Sequence, residues 1–283
     1  MGRIVYVNGR YVPESAARVS VFDRGFLMSD AVYEVTAVLD GKLVDFDGHL
    51  ERLARSLGEL DMENPLDSAS LLEIHRELVR LNGLDEGLVY LQVTRGVADR
   101  DFAYPQDATP TVVLFTQVKS LAESEQAGTG IRVVFVDDLR WGRRDIKTVQ
   151  LLYPSMSKME AKSRGADDAW LVQDGFVTEG TSNNAYIVKD DTIITRELSN
   201  DILHGITRAA VLRYARERQV RIEERAFTPD EARAADEAFI TAASTFVMPV
   251  VSIDGATIGD GKPGPVARRL RKIYLEESRK SAV

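Results

Sequence analysis

The amino-acid sequence predicts a two-domain protein of the α+β and α/β type, in which β-sheet precedes helix in each half. A chain of 283 residues is long for one compact core and suits two modest domains. Hydrophobic residues make up 44% and charged residues 28%, the balance of a globular protein. A polar stretch, SLAESEQAGT, separates two segments with strand-like patterning. We therefore predict domains over residues 1–118 and 131–283, with a linker over 119–130.

The first half is predicted to be antiparallel sheet with two helices. The dipeptides Asn8-Gly9 and Asp40-Gly41 each lie between apolar runs, which is typical of β-hairpins. Asp47 is expected to cap a helix in which leucines recur at helical spacing, and a second amphipathic helix follows. The predicted strands are 4–7, 11–12, 33–39, 43–46, 89–94 and 111–117, and the second helix spans 71–81.

The second half also begins with sheet. Pro154 in a first turn and Gly165 just past the end predict a helix. Asp174-Gly175 predicts another hairpin, and Thr228-Pro229 predicts the start of a short helix. The predicted strands are 131–136, 168–172, 176–178, 184–188 and 192–195, and the other helices span residues 205–218 and 266–275.

Composition excludes several classes of partner and chemistry. The net charge is −8, and no Lys/Arg run is interleaved with aromatics, so nucleic acid is not expected as a partner. The N-terminus alternates like a strand, and no apolar run suits a bilayer, so we expect no membrane partner and a cytoplasmic location. Cysteine is absent, and the three histidines show no metal-ligand spacing, so no metal is expected. His75 is expected at the surface.

Lys147 is the lysine whose context best suits covalent catalysis. It lies between a basic segment and an apolar one, whereas the other lysines flank turns or lie on charged helical faces, in loops or in the linker. An amine in apolar surroundings loses hydration of its charged form, which favours the neutral amine that attacks a carbonyl. Context alone nevertheless favours a charge in a basic surface strand after Arg143 and Arg144.

Two further groups of residues suit a ring and a phosphate. Glu179 begins Glu-Gly-Thr-Ser-Asn-Asn, in which a carboxylate could face a pyridine nitrogen while amides and hydroxyls bind anions. Gly205-Ile206-Thr207 offers N–H groups, a hydroxyl and the positive end of a helix. Arg52 could supply the charge partner of a phosphate. Each of these also has a purely structural interpretation when taken alone. Glu179 could be a solvated residue at the end of a hairpin, Gly205-Ile206-Thr207 an ordinary helix cap, and Arg52 a surface arginine.

Six segments occur in order along the chain: DRGFLMSDAVYE, HLERL, VTRG, DIKT, TEGTSNN and HGITR. Their order and spacing resemble fold-type IV pyridoxal-phosphate enzymes, the class IV aminotransferases that include D-amino-acid and branched-chain aminotransferases. The D-amino-acid type is the most similar. The resemblance implies a small N-terminal α+β domain and a larger, β-barrel-like C-terminal domain with helices. It also outweighs the ordinary alternatives above.

The resemblance implies a role for each matching residue. Lys147 is expected to hold pyridoxal 5'-phosphate as a Schiff base and to move a proton in catalysis, and Glu179 is expected to partner the pyridine nitrogen. Tyr33 and Arg100 correspond to a trap for the substrate carboxylate, with Arg100 reaching the active site of the partner subunit in a homodimer. The implied phosphate ligands are Arg52, Ile206, Thr207 and Ser244.

One departure from the D-amino-acid pattern concerns Phe102, which stands where those enzymes have a histidine. Phenylalanine has no donor, so the substrate pocket loses a hydrogen bond and gains apolar surface. The sequence predicts a transaminase for a D-amino acid of the D-alanine or D-glutamate type and a 2-oxo acid. An (R)-selective amine transaminase, a branched-chain aminotransferase, an aminodeoxychorismate lyase and a pyridoxal-phosphate carrier remain open.

Overall fold

A computed structural model describes residues 2–283, which fall into two compact units. The first unit comprises the chain up to Ser120, together with Ile146–Gln150 and Ser281–Val283, and the second comprises Leu121–Asp145 and Leu151–Lys280. None of the helices described in this range combines the length and apolar content that a bilayer span requires.

The first unit is a six-stranded antiparallel sheet with two long helices. The strand order is β2-β1-β6-β5-β3-β4, and α2 and α3 cover one buried core that includes Leu53, Leu57, Leu71 and Leu78. The strands are β1 Ile4–Val7, β2 Arg10–Pro13, β3 Ala31–Leu39, β4 Lys42–Leu43, β5 Gly87–Thr94 and β6 Thr111–Val118. The helices are α1 Arg24–Met28, α2 Phe46–Gly58 and α3 Ser68–Asn82, and a 3-10 turn spans Glu14–Ala16.

The start of α2 differs from the prediction. The helix begins at Phe46, and its N-cap is Asp45 in a left-handed conformation (φ 51°) rather than Asp47. Phe46 is buried in the core of the first unit, so the chain turns out of the sheet before this residue. The predicted strand 43–46 is correspondingly short, because only its first residue belongs to β4.

His75 is buried, contrary to the surface position expected from its charged neighbours. Its ring packs edge-on against Phe46, with 5.0 Å between the ring centroids, and its Nδ1 lies 2.7 Å from the carbonyl oxygen of Leu71. Burial lowers the pKa of His75 to about 4. The sequence was misleading because the neighbouring charged side chains Arg76 and Glu77 occupy other faces of α3.

The second unit is built on a nine-stranded mixed sheet. Its strand order is β12-β11-β10-β13-β14-β7-β8-β9, and β15 pairs with β14. The strands are β7 Ile131–Asp137, β8 Asp168–Gln173, β9 Phe176–Gly180, β10 Asn184–Lys189, β11 Thr192–Thr195, β12 Arg221–Glu224, β13 Glu237–Ala242, β14 Phe246–Ile253 and β15 Ala256–Thr257. The helices are α4 Glu125–Thr129, α5 Leu152–Ser163, α6 Ile206–Glu217, α7 Pro229–Arg233 and α8 Pro265–Ser281.

The units divide the chain differently from the predicted domains 1–118 and 131–283. Residues 146–150 join the first unit because the Tyr33 N–H donates to Lys147 O at 3.0 Å and the Val149 N–H donates to Ala31 O at 3.2 Å. Residues 281–283 join it through paired bonds between Leu43 and Val283. The predicted linker 119–130 contains α4, and its residues from Leu121 onward belong to the second unit.

Candidate active site

Lys147 is held against the third strand of the first unit. Its carbonyl accepts the N–H of Tyr33, and the next residue, Thr148, bridges to Val32. Its own N–H donates to Ser56 Oγ at 3.3 Å, which ties it to α2. Lys147 is half-buried, and its Nζ lies over the Tyr33 ring, 4.1 Å from the centroid. The backbone of this lysine is therefore fixed while its amine remains beside an aromatic face.

Tyr33 belongs to a column of aromatic side chains on one face of the sheet. The Tyr33 and Tyr90 rings stack with 5.5 Å between centroids, and Tyr90 stacks on Phe115 at 4.7 Å. Such stacking restricts the rotation of a ring at low entropic cost. The structure thus brings together two predicted site residues, Lys147 and Tyr33.

Arg52 lies on α2 in a buried network with the strand residue Glu34. Its Nε and Nη2 donate to the two oxygens of Glu34 at 2.8 and 2.7 Å. His49 Nδ1 lies 2.7 Å from Glu34 Oε2, and because a carboxylate only accepts, this nitrogen carries the hydrogen. Ser56, one helical turn beyond Arg52, contacts the backbone of Lys147. The predicted phosphate ligand is therefore held in one orientation by a bidentate pair.

The Glu34 network predicts a pH-dependent stability. Burial alone would raise the pKa of Glu34, but Arg52 and His49 outweigh it and lower the pKa to about 2 from an ordinary 4.5. Between these values the unfolded chain binds a proton that the folded chain does not, so stability is lost as the pH falls through this window. Glu34→Gln should lower the free energy of unfolding by about 3 kcal/mol at pH 7. At pH 3 the contribution that comes from the lowered pKa of Glu34 should be less than about half as large.

Urea unfolding of the apoprotein at pH 7 and pH 3 measures this change. Glu77→Gln is a matched control, since Glu77 is a partly exposed carboxylate paired with Arg80 on α3, and its substitution should change stability far less than Glu34→Gln does. A Glu34→Gln deficit of the same size at both pH values would contradict the assigned coupling.

Glu179 is buried at the end of β9 in the second unit. Its Oε1 accepts Arg140 Nη1 at 2.6 Å, and its Oε2 accepts the Leu203 N–H at 3.0 Å and Asn184 Nδ2 at 3.1 Å. Burial raises the pKa of Glu179, while Arg140 and the Leu203 amide act in the opposite direction. A carboxylate so placed suits a cationic ring nitrogen, which would add a second positive partner.

Arg140 and Asp138 support Glu179, and sequence reasoning missed both. Arg140 donates to both oxygens of Asp138, at 2.9 and 2.7 Å, in addition to Glu179. Thr178 Oγ1 donates to Asp138 at 2.6 Å, and Arg144 lies 3.3 Å from it. Asp138 and Glu179 are distant in sequence, and no local motif links them. Arg140 therefore reaches Glu179 already fixed from its other side.

Asn184 links Glu179 to the start of α6. Its Nδ2 donates to Glu179 and also to Leu203 O at 3.0 Å. Gly205, the N-cap of α6, approaches Asn184 so closely that a Cβ there would stand 2.1 Å from Asn184 Oδ1. A side chain at residue 205 would therefore displace the Asn184 amide from its position. This contact places the helix start beside the carboxylate.

The N-terminus of α6 and the turn after β13 both suit a phosphate. Gly205 gives α6 no side-chain cap, so the first N–H groups, which include those of Ile206 and Thr207, can face an anion. Ser244 lies in the turn between β13 and β14. The next hydroxyl, Thr245 Oγ1, is buried, and no hydrogen-bond partner for it is found among the described residues.

These features fit pyridoxal phosphate. An orphaned hydroxyl and an uncapped helix suit its phosphate, and a buried carboxylate suits its pyridinium nitrogen. The strand register brings these features to the same end of neighbouring strands, because Asn184 at the start of β10 pairs with Thr241 near the end of β13. Thr245 is a further candidate ligand for the phosphate that sequence reasoning did not identify. Its position next to the predicted ligand Ser244 could have indicated it.

Arg100 and Phe102 lie in the loop between β5 and β6. Both side chains are exposed, and the Arg100 guanidinium lies 5.5 Å from the centroid of the Phe102 ring. The structure thus places these two predicted substrate residues side by side, on the surface of the first unit.

Comparisons with known proteins agree with this chemistry. The sequence profile of the family described as "Amino-transferase class IV" matches residues 31–253. The chain is 42% identical over 281 residues to a D-alanine aminotransferase of Bacillus licheniformis, covering 98% of this chain and 99% of the relative. It is 37% identical to a D-alanine aminotransferase of Staphylococcus aureus (strain MSSA476), covering 95% and 96%.

Solved structures share the fold. A branched-chain amino acid aminotransferase from the organism abbreviated T.th., with pyridoxamine 5'-phosphate, gives a TM-score of 0.92 at 28% identity, covering 100% of this chain and 98% of that chain. The same enzyme with N-(5'-phosphopyridoxyl)-L-glutamate gives 0.89 at 29% identity, covering 99% and 95%. The predicted family and fold are confirmed: this chain belongs to the class IV aminotransferases.

Proposed function

We propose that this protein is a pyridoxal-phosphate aminotransferase that moves an amino group between a D-amino acid of the D-alanine or D-glutamate type and a 2-oxo acid. The observation that carries the proposal is the 42% identity to a D-alanine aminotransferase over 98% of the chain. The branched-chain enzymes that share the fold are less similar in sequence, at 28% and 29% identity.

Different residues of this chain are proposed to bind the cofactor and to move protons. When bound, the cofactor supplies an electron sink that stabilises negative charge at the substrate's Cα. Lys147 is the group that binds it covalently, and its Nζ takes the proton from that Cα as general base. Glu179, fixed by Arg140, keeps a proton at the ring nitrogen. The proposed phosphate ligands are Arg52, Ile206, Thr207 and Ser244, joined by Thr245.

The rival functions depend on different residues. A carrier without activity has no need for a carboxylate that strengthens an electron sink, so Glu179 together with Lys147 favours an enzyme. An (R)-selective amine transaminase remains a second candidate because Phe102 is apolar and 79% exposed beside Arg100, where it could accept an uncharged substituent. Tyr33 and Arg100 favour a carboxylate-bearing donor.

A half-reaction panel tests the proposed function. D-alanine, L-leucine and an (R)-arylalkylamine are each mixed with the holoenzyme, and conversion of the cofactor to its pyridoxamine form is followed by absorbance. We expect D-alanine to react best, and we expect Arg100→Ala to depress amino-acid turnover far more than amine turnover. Phe102→His should raise the preference for D-alanine by about 0.5–1.5 kcal/mol, one hydrogen bond.

The panel also has outcomes that contradict the proposal. If L-leucine is the best donor, the branched-chain interpretation replaces the D-amino-acid one. If the (R)-arylalkylamine is best and Arg100→Ala does not change its rate, the protein is an amine transaminase with an apolar pocket.

The homodimer is part of the proposal and is supported by the surface of the first unit. A main-chain bond from the Ala98 N–H to Phe22 O, 3.3 Å long, joins two segments rich in exposed apolar side chains. An apolar cluster of this kind suits contact with another protein surface, and we assign it to a second copy of the chain. Its members are Val19, Val21, Phe22, Phe26, Val97, Phe102 and Tyr104. A cytoplasmic location stays a prediction.

A further inference from the structure

The loop that carries Arg100 and Phe102 is closed at its base. Gly96, just before the loop, has φ +103°, and a Cβ there would stand 1.9 Å from the carbonyl oxygen of Thr109. Only a glycine allows the two ends of the loop to approach so closely. Residues 97–109 therefore leave and re-enter the sheet at one point, as a compact surface loop.

Beneath this loop lies a buried cluster of two arginines and one carboxylate. Arg24 Nε and Arg95 Nε lie 2.7 and 2.8 Å from the same oxygen of Asp30. Arg24 and Arg95 are buried, at 2% and 7% exposed, and the Asp30 side chain is 9% exposed. One carboxylate cannot neutralise two guanidinium groups, so the remaining positive charge must be met by other acceptors.

The acceptors of Arg24 belong to the loop, whereas Arg95 donates from its Nη atoms to Leu60 O at 2.7 Å and to Asp61 O at 3.3 Å, just after the end of α2. Arg24 Nη1 donates to Asp101 O at 2.7 Å and to Ala103 O at 3.3 Å. The Arg95 guanidinium lies 3.6 Å from the centroid of the Tyr104 ring, a stacked cation–π contact. The loop is thus attached at three points, residues 101, 103 and 104.

The attachments alternate with the two proposed specificity residues. Asp101 and Ala103 are held by their carbonyl groups, whereas the side chains of Arg100 and Phe102 remain exposed. Fixing the backbone on both sides of residue 102 restricts the directions in which these side chains can project. The cluster therefore holds the backbone on both sides of Phe102, and its hydrogen bonds go to main-chain carbonyls of the loop and not to the side chain of Arg100 or Phe102.

Stability alone does not account for this arrangement. Burying a guanidinium and a carboxylate costs solvation that their attraction often fails to offset, so apolar residues would serve a core as well. We propose that Arg24, Asp30 and Arg95, here named the arginine clamp, are positioning residues that set the orientation of Arg100 and Phe102 and thereby the preference for carboxylate-bearing donors. The inference rests on the proposed function, which takes Arg100 as the carboxylate ligand.

The test compares steady-state kinetics of Arg24→Lys with those of Arg100→Ala. Lysine keeps the charge beside Asp30, but a single ammonium cannot reproduce the guanidinium fork that also reaches the loop carbonyls. We expect Arg24→Lys to raise KM for D-alanine about tenfold and to change kcat by less than about twofold. In an Arg100→Ala background the same change should have no further effect on KM.

Two variants keep the test interpretable. Arg18→Lys is the matched control, since Arg18 is an exposed arginine on the preceding segment that donates to the nearby carbonyls of Ser15 and Ala17, and KM should not change. Tyr104→Leu removes the stacked ring from a residue that is 52% exposed, and leucine keeps the apolar character of the surface assigned above to the second copy. It should raise KM about threefold.

The outcomes separate the clamp from the proposed function. If Arg100→Ala raises KM and Arg24→Lys does not, the clamp is overturned and the role of Arg100 stands. If Arg100→Ala leaves KM unchanged, the carboxylate assignment of Arg100 fails, and the clamp fails with it as a specificity device. Amide hydrogen exchange in Arg24→Lys should accelerate only across residues 97–104, and acceleration throughout the chain would indicate general destabilisation and overturn the proposal.

Discussion

Replacing Lys147 with alanine should reduce transamination of D-alanine by about 10³-fold or more. The change removes the amine that we propose as both covalent ligand of the cofactor and general base, and base catalysis alone contributes about 10²–10⁴-fold. The proposed phosphate ligands and Glu179 lie on other segments of the chain, so pyridoxal phosphate should still bind without a covalent link. Stopped-flow absorbance of the D-alanine half-reaction and equilibrium dialysis of the cofactor measure the two effects.

Lys162→Ala is the control for this change, because Lys162 is exposed on α5 and has no proposed role. It should react at the wild-type rate. A Lys147→Ala protein that retains more than about a tenth of wild-type turnover would show that another amine serves as base.

Glu179→Gln should reduce kcat for D-alanine by about 10²–10³-fold while the protein stays folded. Glutamine keeps the shape and can still accept from Leu203, but it cannot hold a proton at the ring nitrogen, which weakens the electron sink. The substitution also leaves Arg140, whose side chain is 11% exposed, with Asp138 as its remaining carboxylate, so the free energy of unfolding should fall. Single-turnover kinetics and urea unfolding of the same sample separate the two effects.

Glu237→Gln provides a matched buried carboxylate on the same sheet. Glu237 accepts the N–H groups of Val266 and Ala267 at the start of α8, at 2.9 and 3.0 Å. Its substitution should cost stability without a loss of single-turnover rate beyond about threefold. If Glu179→Gln behaves like this control, Glu179 is a structural residue and its proposed pairing is wrong.

Sequence patterns of a few adjacent residues correctly predicted several turns and helix starts. The turns Asn8-Gly9 and Asp174-Gly175 lie where the structure has them, since both residues of each turn adopt positive φ. The start of α6 at Ile206 and the capping box of α7 at Thr228 also match the prediction. In each case a few adjacent side chains or backbone angles decide the structure.

Tertiary contacts decided the features that were missed. Strands β13 and β14 are almost wholly buried, so they lack the alternation that identifies a half-exposed strand. Arg140 is defined by a carboxylate 39 residues away, a separation that no local pattern encodes. Lys147 combines a local and a tertiary feature. The order of the sequence motifs identified the residue, whereas the bridge between Val32 and Thr148 shows what fixes its backbone.

The central claim is that Lys147 forms the covalent link to the cofactor, and borohydride reduction tests it most directly. The holoprotein is reduced, digested and mapped by mass spectrometry. The account predicts one pyridoxyl group per chain, on the peptide that contains Lys147, and no label after reduction of Lys147→Ala. A pyridoxyl group on Lys158, Lys119 or any other lysine would contradict the account.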